Sequence, residues 1–142
     1  GMYARSPDTV MRCITHQNFW RMAGIDHMHV NGIRNKFCEA DQIVIASARQ
    51  CLTPMFRERG CEIMPVFSSG QSAQQAPDTY RALGSTDLIF ACGGGLVAHP
   101  AGIEAGIRSL RQAWEPAVSG FPLEEYARDR PELQQALQKF AS

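Results

Sequence analysis

The chain has 142 residues, and 14 Lys and Arg balance 14 Asp and Glu to a formal net charge of zero. Hydrophobic residues make up 44% and charged residues 20%, which excludes a chain that is mainly disordered. Neutrality argues against nucleic acid or an anionic membrane surface as the main partner, and no apolar run approaches the ~20 residues of a membrane-spanning helix. The length predicts a single domain over residues 1–142. Gly1 ahead of Met2 reads as an expression remnant, and no signal peptide follows it. Ser6-Pro7-Asp8 predicts a helix start, since Ser6 can accept from an orphan N–H, Pro7 suits the first turn and Asp8 complements the dipole. Val10, Ile14 and Phe19 sit near helical spacing, and Gly24 closes the helix. Residues 25–30 read as a strand that ends in the turn pair Asn31-Gly32. A second helix is predicted over 41–59, packed through Ile43, Ile45, Leu52 and Phe56, with Pro54 kinking it or ending it early. A second strand spans 61–67, and a short helix over 77–83 is capped by Gly84. A third strand, 87–92, is nearly all apolar and runs straight into Gly93-Gly94-Gly95. A long helix over 100–118 carries Ile103, Ile107, Leu110 and Trp114 at helical steps, and two short helices near 123–128 and 131–140 finish the chain.

Strands that alternate with helices predict an α/β fold with a parallel sheet. In such sheets the functional loops lie at the carboxyl ends of the strands, which here are 31–40, 68–75 and 93–99. The five cysteines, Cys13, Cys38, Cys51, Cys61 and Cys92, are odd in number and show no CxxC spacing. They predict reduced thiols in a cytoplasmic protein, without a disulfide framework or a zinc ribbon. Cys92 precedes the glycine run but reads as a buried strand residue rather than a nucleophile.

The loops carry the chemistry. His27 and His29 share one face of the first strand by its period of two, and Arg34 and Lys36 follow. Imidazole, guanidinium and ammonium groups at one strand end suit an anion such as phosphate. The plainer alternative makes His27 a core histidine and Arg34 a solvated charge. No third ligand accompanies the two histidines, so no metal site is expected in this chain. Ser68 can bond an anion or a hydroxyl, and Gly70 allows a ligand close to the backbone. The three glycines make either a phosphate cradle or a tight turn that needs positive φ. A dinucleotide fingerprint is set aside: Ala98 stands at the last glycine position, and the acidic residue expected ~20 residues on is not on a following strand. His99 reads as a residue that holds the turn.

Four runs together resemble a known family: Asp26-His27-Met28-His29, Asn35-Lys36-Phe37, Pro65-Val66-Phe67-Ser68-Ser69-Gly70 and Gly93-Gly94-Gly95-Leu96-Val97-Ala98-His99-Pro100-Ala101-Gly102. They look like the C-terminal part of the ribulose bisphosphate carboxylase large-subunit superfamily, from about Ser6 to Phe140. His29-Val30-Asn31-Gly32 and Ser68-Ser69-Gly70-Gln71 are closer to the RuBisCO-like proteins than to the true carboxylases. The resemblance implies a partial TIM (β/α)8 barrel, with three parallel β/α units corresponding to strands six to eight plus C-terminal helices. It implies that His29 contacts a substrate phosphate, that Lys36 is the catalytic lysine of the mobile sixth loop, and that Ser68 lies near the substrate. Gly70, Gly93 and Gly94 match backbone phosphate donors, while Ser69 replaces a glycine of the carboxylases.

The same resemblance shows what this chain lacks. A (β/α)8 barrel takes roughly 250 residues. The Lys-x-Asp-Glu motif that binds Mg²⁺ is absent, as are the strand-five histidine and arginine and the N-terminal domain. Mg²⁺ is therefore expected only in a full-length family member, and this chain alone is expected to be inactive. The implied chemistry is enolisation, carboxylation or decarboxylation of a phosphorylated keto-sugar. The alternative is a standalone phosphate-binding or oligomerising module without turnover. In either case a homo-oligomer or a missing N-terminal part should cover the open sheet edges. An unrelated small enzyme with a cysteine or histidine nucleophile is the remaining reading.

Overall fold

The computed structural model describes residues 13–37, 39–58 and 60–141. Three short strands, β1 (His27–His29), β2 (Met64–Phe67) and β3 (Ile89–Phe90), form one parallel sheet in the order β1-β2-β3. Helix α1 (Cys13–Met22) leads into β1, α2 (Asp41–Cys51) crosses from β1 to β2, and α3 (Ala76–Leu83) crosses from β2 to β3. After β3 come a single turn α4 (Gly94–Val97), the long α5 (Ile103–Ser119), the short α6 (Leu123–Tyr126) and α7 (Pro131–Lys139). This is the α/β alternation read from the sequence. The predicted start of α1 at Ser6-Pro7-Asp8, with Val10, lies outside the described residues. Among the described residues no helix is long and apolar enough to cross a membrane.

The elements are shorter than their sequence patterns. Cys61 has φ 50°, which takes the backbone out of the extended region, so β2 cannot begin there. A tight bond from Leu88 N–H to Thr86 O bends the segment before β3. Helix α2 stops at Cys51 rather than 59. Leu52 and Thr53 close it with bonds back to Arg49 O and Gln50 O, and Pro54 disfavours helical geometry at the residue before it. Ile43 and Phe56, expected to pack, are 48% and 51% exposed. Val44, Ser47, Ala48 and Cys51 form the buried face of α2 instead, at steps of three, one and three. A capping box between Ser72 and Gln75 leads into α3, and Gly84 closes it at φ 72°.

Two cores result. The first packs α2 on the sheet through Val30, Val44, Ala48, Ile63 and Phe67. The second joins the segment before α3, α5 and α7 through Ala73, Ala76, Ala113, Leu133 and Ala136. Full burial of Leu133 contributes on the order of 2 kcal/mol. The apolar stripe expected on α5 is off this line: Ile103 is 54% and Ile107 47% exposed. The buried line is Gly106, Ser109, Ala113, Pro116 and Ala117. Small residues win because α5 is pressed close; a Cβ on Gly106 would stand 2.4 Å from Leu96 O.

The most demanding buried group is Arg21, 2% exposed. Its guanidinium donates to Gln50 O (2.6 Å) and Thr53 O (2.5 Å) at the end of α2, and to Cys61 O (2.8 Å) ahead of β2. A cation at a helix C-terminus is favoured by the dipole, and here it also gives a donor to the carbonyls of Thr53 and Cys61 and a second one to that of Gln50. Arg21→Met in the full-length protein should cost about 3 kcal/mol, read as a fall in Tm, because it strands buried carbonyls. An unchanged Tm would mean that water replaces these contacts at no cost.

Candidate functional site

Parallel pairing sets the site. His29 is opposite Val66, so the chain leaving β2 brings Ser68 beside it, with His29 Nδ1 and Ser68 Oγ 3.0 Å apart. Ser68 N–H donates to Asn31 O (3.1 Å) and Lys36 N–H to Ser69 O (3.0 Å). The loop after β1 is thereby laid along the loop after β2. The side chains continue the contact. Ser69 Oγ donates to Asn31 Oδ1 (3.0 Å), and Asn31 Nδ2 donates to Glu39 Oε2 (2.5 Å). Ser68 Oγ and Ser69 Oγ are 3.4 Å apart. Asn31 (φ 63°) and Ser69 (φ 70°) are both left-handed, a conformation that asparagine adopts readily and that costs Ser69 on the order of 1–2 kcal/mol. Gly70 follows at φ 97°, and a Cβ there would meet Lys36 Cβ at 3.6 Å.

The third loop joins the same edge. Gly93 and Gly94 are exposed, and a Cβ on either meets nothing within 4 Å. Gly93 has φ −73° and leads into α4, so the glycine run is not a turn built on positive φ. Gly95 differs: a Cβ there would lie 2.5 Å from Gln71 O and 2.6 Å from Cys92 Sγ. Gln71 also donates through Nε2 to Ile33 O (3.1 Å), so one buried residue touches all three loops. Cys92 donates to Gln71 O (2.9 Å), and burial pushes its thiol up to about 11.

The structure therefore brings His29, Lys36, Ser68 and Gly70 into one contiguous edge, with Gly93 and Gly94 reaching it through Gln71 and Gly95. His27 is exposed and is not the core histidine of the plainer reading. Arg34 turns away and pairs with Asp78 (2.5 Å), which also holds Arg81 (2.8 Å). Arg34, Asp78 and Arg81 line a cleft of about 1010 Å³ with Pro116 to Glu124, on the helical side of the molecule. His99 is buried and structural. Ala101 N–H donates to its Nδ1 (3.1 Å), so Nε2 carries the proton and donates to Glu132 O (2.9 Å). Among the described residues no three His, Cys, Asp or Glu side chains are grouped to hold a metal ion.

Sequence reasoning missed Asn31 and Glu39 as site neighbours. Asn31-Gly32 carried a turn signal, which is correct for its φ but silent about its side chain. Ser69 was visible only as a departure from glycine. Glu39 had no signal, since its partner lies eight residues back across a loop.

Comparisons with known proteins identify the family. The family described as ribulose bisphosphate carboxylase large chain, catalytic domain, matches residues 1–140. A 3-oxo-isoapionate-4-phosphate decarboxylase of Rhizobium etli is 46% identical over 138 residues, covering 96% of this chain and 33% of that protein. A 3-oxo-isoapionate-4-phosphate transcarboxylase/hydrolase of Xanthobacter autotrophicus is 51% identical over 137 residues, with the same coverage. The chain thus spans about a third of the length of these relatives. The crystal structure of a rubisco-like protein from Burkholderia fungorum superposes with a TM-score of 0.93 at 46% identity, covering 99% of this chain and 35% of that one. Matched over nearly its whole length in both sequence and fold, the chain belongs to the ribulose bisphosphate carboxylase large-chain family and, within it, resembles the RuBisCO-like proteins.

Proposed function

We propose that this chain supplies one side of the active site of a RuBisCO-like enzyme that decarboxylates or enolises a phosphorylated keto-sugar or sugar acid. The observation that carries the reading is the single edge formed by His29, Lys36, Ser68 and Gly70, with the open glycines Gly93 and Gly94 beside it. Residues of these types suit a phosphate: an imidazole, a hydroxyl, and backbone N–H groups approached without a Cβ in the way. The two relatives named above act, by their names, on one phosphorylated sugar acid, which supports that substrate class here. Lys36 carries the catalytic role. Its ammonium would stabilise negative charge as it develops on a carboxylate or an enediolate, in the manner of a preorganised cation. The Mg²⁺ of the family finds no ligand group among the described residues, so no step here runs through it.

The competing reading is a phosphate-binding or oligomerising module without turnover. What favours it is the sheet itself: among the described residues β1 and β3 each pair on one side only, and Met64 and Ile89 are exposed. A second copy or the remainder of a longer protein would cover those edges.

The two readings separate in the full-length protein. Inorganic phosphate should raise Tm, and Gly94→Val should abolish that rise while leaving the ligand-free Tm intact, since the new side chain enters open space. A rise that survives places the anion elsewhere. Lys36→Met should lower turnover of the sugar phosphate by about 10²–10³-fold while phosphate still raises Tm. Turnover that survives this change removes Lys36 from the catalytic role, and wild-type protein without any turnover favours the module. Cys92 should resist iodoacetamide at pH 8, where a thiol of pKa about 11 is ionised in about one part in a thousand. Rapid alkylation with loss of turnover would revive a cysteine nucleophile.

A further inference from the structure

The chain Glu39–Asn31–Ser69–Ser68–His29 has a direction. Asn31 gives an amide proton to the Glu39 carboxylate, which orients the amide and leaves Oδ1 as an acceptor for Ser69. A hydroxyl has one proton, so Ser69 Oγ, having donated to Asn31, can only accept from Ser68. Ser68 has one proton as well. The contacts Ser68–Ser69 (3.4 Å) and His29–Ser68 (3.0 Å) are both satisfied in one way only. Ser68 donates to Ser69, and His29 Nδ1–H donates to Ser68.

We propose that Ser69, with Asn31 and Glu39 behind it, is a positioning residue that fixes neutral His29 with its proton on Nδ1 and a lone pair on Nε2. The backbone supports a purpose at these positions. Asn31 and Ser69 are both side-chain-bearing residues held left-handed, and they hydrogen-bond to each other there. Glycine would adopt either conformation without strain, but would end the chain of donors.

The consequence deepens the reading of the site as a sugar-phosphate site and rests on it. With Nδ1–H committed to Ser68, neutral His29 meets a ligand as a hydrogen-bond acceptor. A phosphate monoester then binds as its monoanion, whose P–OH donates to Nε2, or as its dianion once a solvent proton has been added to Nε2. Both complexes hold one proton more than the dianion and neutral imidazole apart.

The test is nitrogen NMR of the full-length protein labelled with ¹⁵N-histidine, above the histidine titration range, with His29→Gln to assign the signals. The ligand-free protein should show His29 protonated on Nδ1. Ser69→Gly should reverse the tautomer to Nε2–H, because Ser68 then donates to Nδ1. Asn31→Gly should do the same, because Ser69 is then free to donate to Ser68. Both variants should stay folded, since glycine adopts each left-handed position without strain, and thermal unfolding of each checks this. A wild-type His29 with its proton on Nε2, or one tautomer shared by wild type and Ser69→Gly, overturns the proposal. Inorganic phosphate, added last, tests the site separately. If the tautomer is Nδ1–H and phosphate moves no His29 signal, the positioning stands and the phosphate reading falls.

Discussion

A buried guanidinium organises the first half of this molecule. Arg21 reaches from α1 into the gap where α2 ends and the chain turns back toward β2, and it donates to carbonyls on both sides of that gap. A parallel sheet needs such a return, because consecutive strands run in one direction and the chain must be carried back to the starting edge. Among the described residues between Leu52 and Gly60 there is no helix or strand to satisfy the carbonyls of the return. A planar donor with five N–H groups meets several at once, which lysine in the same place would not. The return delivers the chain to β2, where Met64 N–H donates to Asp26 O, Val30 N–H donates to Val66 O, and His29 lies opposite Val66.

From the register comes the chemistry. A slip of β2 by one residue would turn Ser68 to the opposite face and separate it from His29. The loop after β1 is held against the second by main-chain bonds at Ser68 and Lys36 as well as by side chains. A hydroxyl and an imidazole from segments 39 residues apart thus come together, with the backbone of Lys36 laid alongside and its ammonium over the Phe37 ring.

The layered α/β alternation and the three strand-end loops were legible in the sequence because they rest on local signals: glycine stops, apolar runs and proline. Motif resemblance nominated His29, Lys36, Ser68, Gly70, Gly93 and Gly94 as candidates, and the fold brings their loops to one edge. Arg21 was not legible, since a basic residue late in an amphipathic helix looks solvated until its carbonyl partners, 29 to 40 residues on, are in place. The stripe on α5 misled for a related reason. Hydrophobicity marks Ile103 and Ile107, but close approach to α4 selects Gly106 and Ser109, and contact distance is not a property of one helix. Strand ends were overestimated because apolar character continues past the point where Cys61 leaves extended geometry.

Gly95 has a mechanical consequence. With Gln71 O, Cys92 Sγ and Ser72 Cα all standing where its Cβ would be, the loops after β2 and β3 are in backbone contact and cannot slide past one another. They behave as one rigid wall. The loop after β1 is locked to the same wall at its start, since a Cβ on Gly32 would stand 2.5 Å from Ser68 O and 2.1 Å from Gln71 Nε2, and further along it is held by the bond from Lys36 N–H to Ser69 O. All three loops are therefore fixed to one another where they leave the sheet, and Gly32 and Gly95 are the two positions at which a side chain would wedge them apart.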